Sequence, residues 1–177
     1  MRTLFIIMMV TSALMAQLKV GDIPSNVIIE VKDGGYLSGK PFDSSVLRGK
    51  ISIILYADPD EQSKGETLAE KLDELVKELA SLYLQKYMII NLDDTWKPDF
   101  VIMKLLKSRQ VDHPQSIYII DRSSILSRAW GLEHDAFVCV ILDSFGKVIY
   151  EGKGKFSGQE IEKIMNLIKK SVDSLPK

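Results

Sequence analysis

Residues 51–66 read Ile-Ser-Ile-Ile-Leu-Tyr-Ala-Asp-Pro-Asp-Glu-Gln-Ser-Lys-Gly-Glu. The run Ile51–Ala57, broken only by Ser52, has the length and β-branching of a strand buried on both faces. Asp58-Pro59 stops it. An amphipathic stretch follows, in which Leu68, Leu72, Leu75, Val76, Leu79, Leu82 and Tyr83 recur at steps of three and four. That spacing is one face of a helix, and the Glu, Lys and Asp between them make the other face wet. A buried strand running directly into an amphipathic helix opens an α/β unit.

The same alternation continues outward. Residues 87–92 form another apolar strand, ending in Asp93-Asp94. Residues 98–106 read as a second helix with Pro98 at its start. Residues 116–120 are a third buried strand closed by Asp121, and residues 123–131 a short helix ending at Gly131. Residues 136–142 make a fourth core strand, Asp143-Ser144-Phe145-Gly146 a hairpin turn, and residues 147–152 the returning strand. Residues 158–172 close the chain as a helix with Ile161, Ile164, Met165 and Ile168 on one face. Upstream, residues 27–31 and 36–42 flank the turn signal Lys32-Asp33-Gly34-Gly35 and read as an N-terminal β-hairpin, with a helical turn at residues 44–47. The expected fold class is α/β, with a mixed central sheet and helices on both faces.

The chain of 177 residues, 46% hydrophobic and 27% charged, is of single-domain size and globular composition. A net charge of -1 gives no bulk attraction to nucleic acid. Arg2, the apolar run of residues 4–15 and the small Ala16 have the pattern of a secretory signal peptide. The run is shorter than the roughly 20 apolar residues of a membrane span. Residues 1–16 are therefore expected to be a signal peptide and residues 17–177 a single exported domain, periplasmic and free of the membrane after cleavage. Cys139 stands alone, so no intramolecular disulfide forms.

The order hairpin, β, α, β, α, β, α, β, β, α resembles the thioredoxin superfamily, and within it the branch of peroxiredoxins and periplasmic thiol–disulfide proteins. Leu47-Arg48-Gly49-Lys50 ahead of Ile51–Ala57 is similar to the segment that leads into their active site. Ile90-Asn91-Leu92-Asp93-Asp94, Ala129-Trp130-Gly131-Leu132, the run of residues 138–148 and Gly158-Gln159-Glu160 together resemble the YtfJ family of periplasmic thioredoxin-like proteins. The resemblance covers most of the chain beyond the leader. It implies a thioredoxin-like fold with an N-terminal hairpin, an inserted αβ unit and an extracytoplasmic location, and little chemistry.

The redox motif of that superfamily is missing. Its C-x-x-C falls here on Asp60-Glu61-Gln62-Ser63. Dithiol exchange needs a low-pKa thiolate at a helix N-terminus and a second thiol to resolve the mixed disulfide; neither Asp60 nor Ser63 supplies one. The superfamily's cis-proline is also absent from residues 133–138, and without proline a cis bond costs about 2.5–4 kcal/mol. Cys139 lies mid-strand, where a buried cysteine behaves as an inert small hydrophobe.

The remaining candidates are acids at strand ends. Asp58, Asp60, Glu61 and Ser63 follow one strand; Asp93, Asp94 and Trp96 follow the next. Ligands of open α/β sheets bind beyond the carboxyl ends of the strands. Two readings stand side by side. The acids form a ligand edge, with a hard cation as one occupant. Alternatively, Asp58-Pro59-Asp60-Glu61 is a helix start with an N-cap, Pro at the first position and Glu three residues after the cap. Trp96 either lines a pocket there or shields the sheet edge. His113 and His134 are 21 residues apart with no cysteine partner, which does not form a zinc pattern. No cofactor motif occurs. The expected function is a redox-inactive binding or adaptor module for a peptide, protein or small ligand. The alternatives are a non-redox enzyme using the edge carboxylates, with or without metal, and a redox accessory protein acting through Cys139. The ligand and the oligomeric state stay open.

Overall fold

The computed structural model describes residues 17–79, 82–93 and 95–175, so the signal peptide expected over residues 1–16 lies outside the described residues. The strands are β1 (Ile28–Ile29), β2 (Gly34–Tyr36), β3 (Phe42–Asp43), β4 (Ile51–Ala57), β5 (Leu84–Asn91), β6 (Ser116–Asp121), β7 (Phe137–Leu142) and β8 (Val148–Lys153). The helices are α1 (Glu66–Leu79), α2 (Asp99–Asp112), α3 (Ile125–Trp130) and α4 (Gly158–Asp173). Short 3₁₀ turns occupy Ser44–Leu47 and Gln62–Gly65.

The main sheet has the order β2-β6-β5-β4-β7-β8. β4, β5 and β6 are parallel, and β2, β7 and β8 run antiparallel to their neighbours. Every residue of β4 and β7 is buried, as expected for strands covered on both faces. Because side chains alternate, these strands supply two cores. Ile51, Ile53, Leu55 and Ala57 join Leu68, Leu72 and Val76 of α1, Ile102 and Leu106 of α2 and Ile161, Ile164 and Ile168 of α4. Ile54 and Tyr56 face the other way, against Phe42, Leu47, Leu126 and Trp130. Each fully buried Leu or Ile contributes about 1.5–3 kcal/mol. Ser52 sits in the second core because its hydroxyl donates to the Leu47 carbonyl at 2.8 Å.

The N-terminal segment differs from a simple hairpin. β1 pairs antiparallel with β3 in a separate two-stranded sheet. The Gly-Gly between them, expected to be a turn, is instead strand β2 on the edge of the main sheet. A Cβ on Gly34 would lie 2.1 Å from the Ile120 carbonyl oxygen, and its φ is +139°. Only glycine lets the backbone press so closely onto β6.

Two helix boundaries also differ. α1 ends at Leu79, so Leu82 is 67% exposed rather than part of the apolar stripe. α2 continues to Asp112, beyond the expected residue 106, with Pro98 at its N-cap. α3 closes at Gly131 with φ 62°. α4 carries a full capping box between Ser157 and Glu160. Among the described residues no peptide bond is cis, and no helix is long and apolar enough to cross a membrane.

Gly34→Ala is expected to destabilise the fold by about 1–3 kcal/mol through strain at positive φ and the clash with β6. Urea unfolding checks this, and hydrogen exchange should show the loss first in residues 34–36 and their β6 partners.

Candidate functional site

The chain leaves β4 through Asp58-Pro59-Asp60-Glu61, and the expected capping box does not form. The Asp58 carboxylate accepts the Asp60 amide at 2.7 Å, and the Glu61 amide bonds the Asp58 carbonyl at 3.1 Å. A 3₁₀ turn follows, and α1 begins only at Glu66. The delay places Gly65 against the Phe137 ring, where a Cβ would meet ring carbons at 2.1–2.3 Å.

The edge residues have different surroundings. Asp58 is buried. Asp60 pairs with Lys97, and Glu61 with Lys64. Ser63 is exposed on the 3₁₀ turn. Asp93 is exposed, its amide bonding the Asn91 side chain, and Asp94 lies outside the described residues. Trp96 is 80% exposed, with the Lys97 ammonium 5.9 Å from its ring centroid. Among the described residues no three His, Cys, Asp or Glu side chains converge as a metal site. Lysines stand opposite Asp60 and Glu61.

What the fold does create is a cleft of about 640 Å³ between α1 and α2, floored by β5 and β6. Asp60, Ser63 and Glu66 line one part of it, so the turn after β4 opens onto it. Asp73, Lys86 and His113 line it as well. Their cluster was absent from the sequence reading. Lys86 lies on β5 in register with Leu84, Met88 and Ile90, the face that packs on α1. Its side chain is only 2% exposed. The ammonium donates to Asp73 Oδ1 at 2.5 Å and to the Ala69 carbonyl at 3.2 Å. Ser116 Oγ donates to the same Asp73 oxygen at 2.9 Å. His113 Nδ1 lies 3.1 Å from Asp73 Oδ2 without the alignment of a hydrogen bond.

Burial holds the Lys86 amine below its ordinary pKa, and the bond to Asp73 works in the opposite direction. Burial, then the charge of Asp73, pushes the Tyr118 phenol up to about 12. The signal for this site was the parity of β5: a lysine alternating with Leu84, Met88 and Ile90 needs a counter-ion from the covering helix.

The other sheet face holds a structural polar group. Asp121 is fully buried and accepts the Ile125 and Leu126 amides at 2.8 and 2.9 Å, capping α3. Burial raises its carboxyl pKa, and these bonds oppose the rise. Cys139 is fully buried opposite Leu55, and burial pushes its thiol far up. A thiolate nucleophile is thereby suppressed.

Asp73→Ala is expected to cost about 3–5 kcal/mol, because it strands a buried ammonium. Replacing both partners, Asp73→Leu with Lys86→Met, should recover most of that loss. Chemical denaturation of the two variants beside the parent checks both halves.

Known proteins place this geometry. The chain is 27% identical over 147 residues to a protein of Escherichia coli strain K12 named "Uncharacterized protein YtfJ", covering 79% of this chain and 77% of that one. Among solved structures it is similar to a putative protein disulfide isomerase from Bacteroides thetaiotaomicron. That match has TM-score 0.65, 17% identity and coverage of 89% of this chain and 92% of the other. It is also similar to the exposed lipoprotein thioredoxin of Streptococcus pneumoniae strain TIGR4, with TM-score 0.58, 15% identity and coverage of 81% and 98%. The fold is thioredoxin-like, on a scaffold that redox proteins use. Residues 16–171 match the family described as "Bacterial protein of unknown function (YtfJ_HI0045)", and the chain belongs to that family.

Proposed function

We propose that the protein is an exported, redox-silent binding module that holds a peptide, protein or small ligand in the α1–α2 cleft. One observation carries the reading. Asp60, Gln62 and Ser63, on the stretch where the resemblance would put a dithiol, line a cleft of about 640 Å³, while the lone cysteine is fully buried. The site retains space and polar groups without a thiolate. Export is supported by the leader-like residues 1–16 and by the similarity to an exposed lipoprotein thioredoxin.

A binding module of this kind leaves disulfides unchanged. In an insulin-reduction assay with dithiothreitol, the protein is expected to give no acceleration over buffer. Native Cys139 should label with a thiol reagent only under unfolding conditions. Nuclear magnetic resonance titration with pooled peptides is expected to move amides of Ser63, Glu66, Leu105 and Ser108, which line the cleft. Insulin reduction by the purified protein would overturn the reading. So would ligands whose shifts all fall elsewhere on the surface.

A further inference from the structure

Two polar links cross the cleft. The Arg109 guanidinium donates to Gln62 Oε1 at 2.9 Å. His113 faces Asp73 from the other side. His113 is the C-cap of α2, its amide bonding the Arg109 carbonyl at 2.8 Å, and its own carbonyl accepts the Ser116 amide at 3.0 Å. The imidazole is therefore tied to both α2 and the start of β6. Asp73 divides its carboxylate: Oδ1 takes Lys86 and Ser116, and Oδ2 is left toward His113.

We infer that His113 is a proton-operated latch that holds the C-terminal end of α2 against α1 through Asp73 and so sets the width of the cleft. The latch depends on the reading of that cleft as the binding face only for its consequence, not for its operation. A protonated imidazole presents an N–H and a positive charge to Asp73 Oδ2. A neutral imidazole loses the charge, and in the tautomer with its proton on Nε2 it turns a lone pair toward the carboxylate.

Charged groups of several elements line the cleft with His113: Asp73 and Glu70 from α1, Asp112 and Arg109 from α2, and Lys86 from β5. Lys86 is matched by Asp73 Oδ1, and Arg109 is held by Gln62 Oε1. Tyr118 from β6 is neutral across this range, its phenol pushed up to about 12. The latch is closed while His113 carries its proton beside Asp73 Oδ2 and loosens when that proton leaves. Histidine is the side chain whose charge ordinarily changes between pH 5 and 8.

The test needs no ligand, so its failure leaves the binding reading standing, and absence of a ligand leaves the latch standing. Imidazole and amide resonances of the whole protein are followed from pH 5 to 8, with His134 as the internal reference. Amides of residues 105–113 are expected to shift with the midpoint of His113, not with that of His134. Exchange protection in the last turn of α2, corrected for intrinsic rates, should fall about two- to fivefold as His113 loses its proton. In His113→Gln both responses should vanish while His134 titrates as before. Amides that follow neither imidazole, or that respond equally in the variant, overturn the latch.

Discussion

The central strands are buried on both faces, and most other features answer to that constraint. Alternation sends half of each strand into each core, so a polar side chain on β4 or β5 finds no water and needs a protein partner. Ser52 meets the demand with a backbone carbonyl. Lys86 requires a carboxylate, and Asp73 on α1 supplies it. This pair fixes α1 over β5 at a point where Leu72 and Val76 also anchor it. α2 is attached to the sheet by Ile102 and Leu106, and the space between the two helices remains as the cleft. Replacing a buried ion pair by apolar residues is often neutral or stabilising. Retention of this pair is then better explained by what it positions than by stability alone.

Much of the fold was legible because the strands are long, apolar and punctuated. Ile51–Ala57, Ser116–Asp121 and Phe137–Leu142 end at Asp residues, at the acidic loop of residues 133–135, or at a hairpin turn. The misread parts share a physical cause. Gly34-Gly35 has the composition of a turn, and only the approach of β6 reveals it as strand. Leu82 and Tyr83 continue the rhythm of α1, but the helix has ended; the Tyr83 carbonyl accepts the Ile51 amide instead. Asp58-Pro59-Asp60-Glu61 satisfies the local code for a helix start. The fit of Gly65 beneath Phe137, distant in sequence, moves the start to Glu66.

The candidate site was half legible. The resemblance drew attention to Asp60-Glu61-Gln62-Ser63, and Asp60, Gln62 and Ser63 of that stretch line the cleft. Spacing along the chain did not show that Glu61 and Asp60 would have Lys64 and Lys97 as their ion-pair partners. Lys86, Asp73, His113 and Ser116 come from β5, α1, the end of α2 and β6. No spacing rule links them. The inward parity of one lysine was the sole trace in the sequence.

The seclusion of Cys139 has a consequence for how the molecule behaves in its surroundings. With no disulfide to form, folding needs neither an oxidant nor an isomerase, and the native state is the same in reducing and oxidising media. Native molecules cannot be captured as mixed disulfides, since the sulfur is walled off between strands. Once the sheet opens, each chain presents one thiol, and two opened chains can cross-link only to each other or to a foreign thiol. In an oxidising compartment, covalent dimers of this protein would therefore record past unfolding until thiol–disulfide exchange released them.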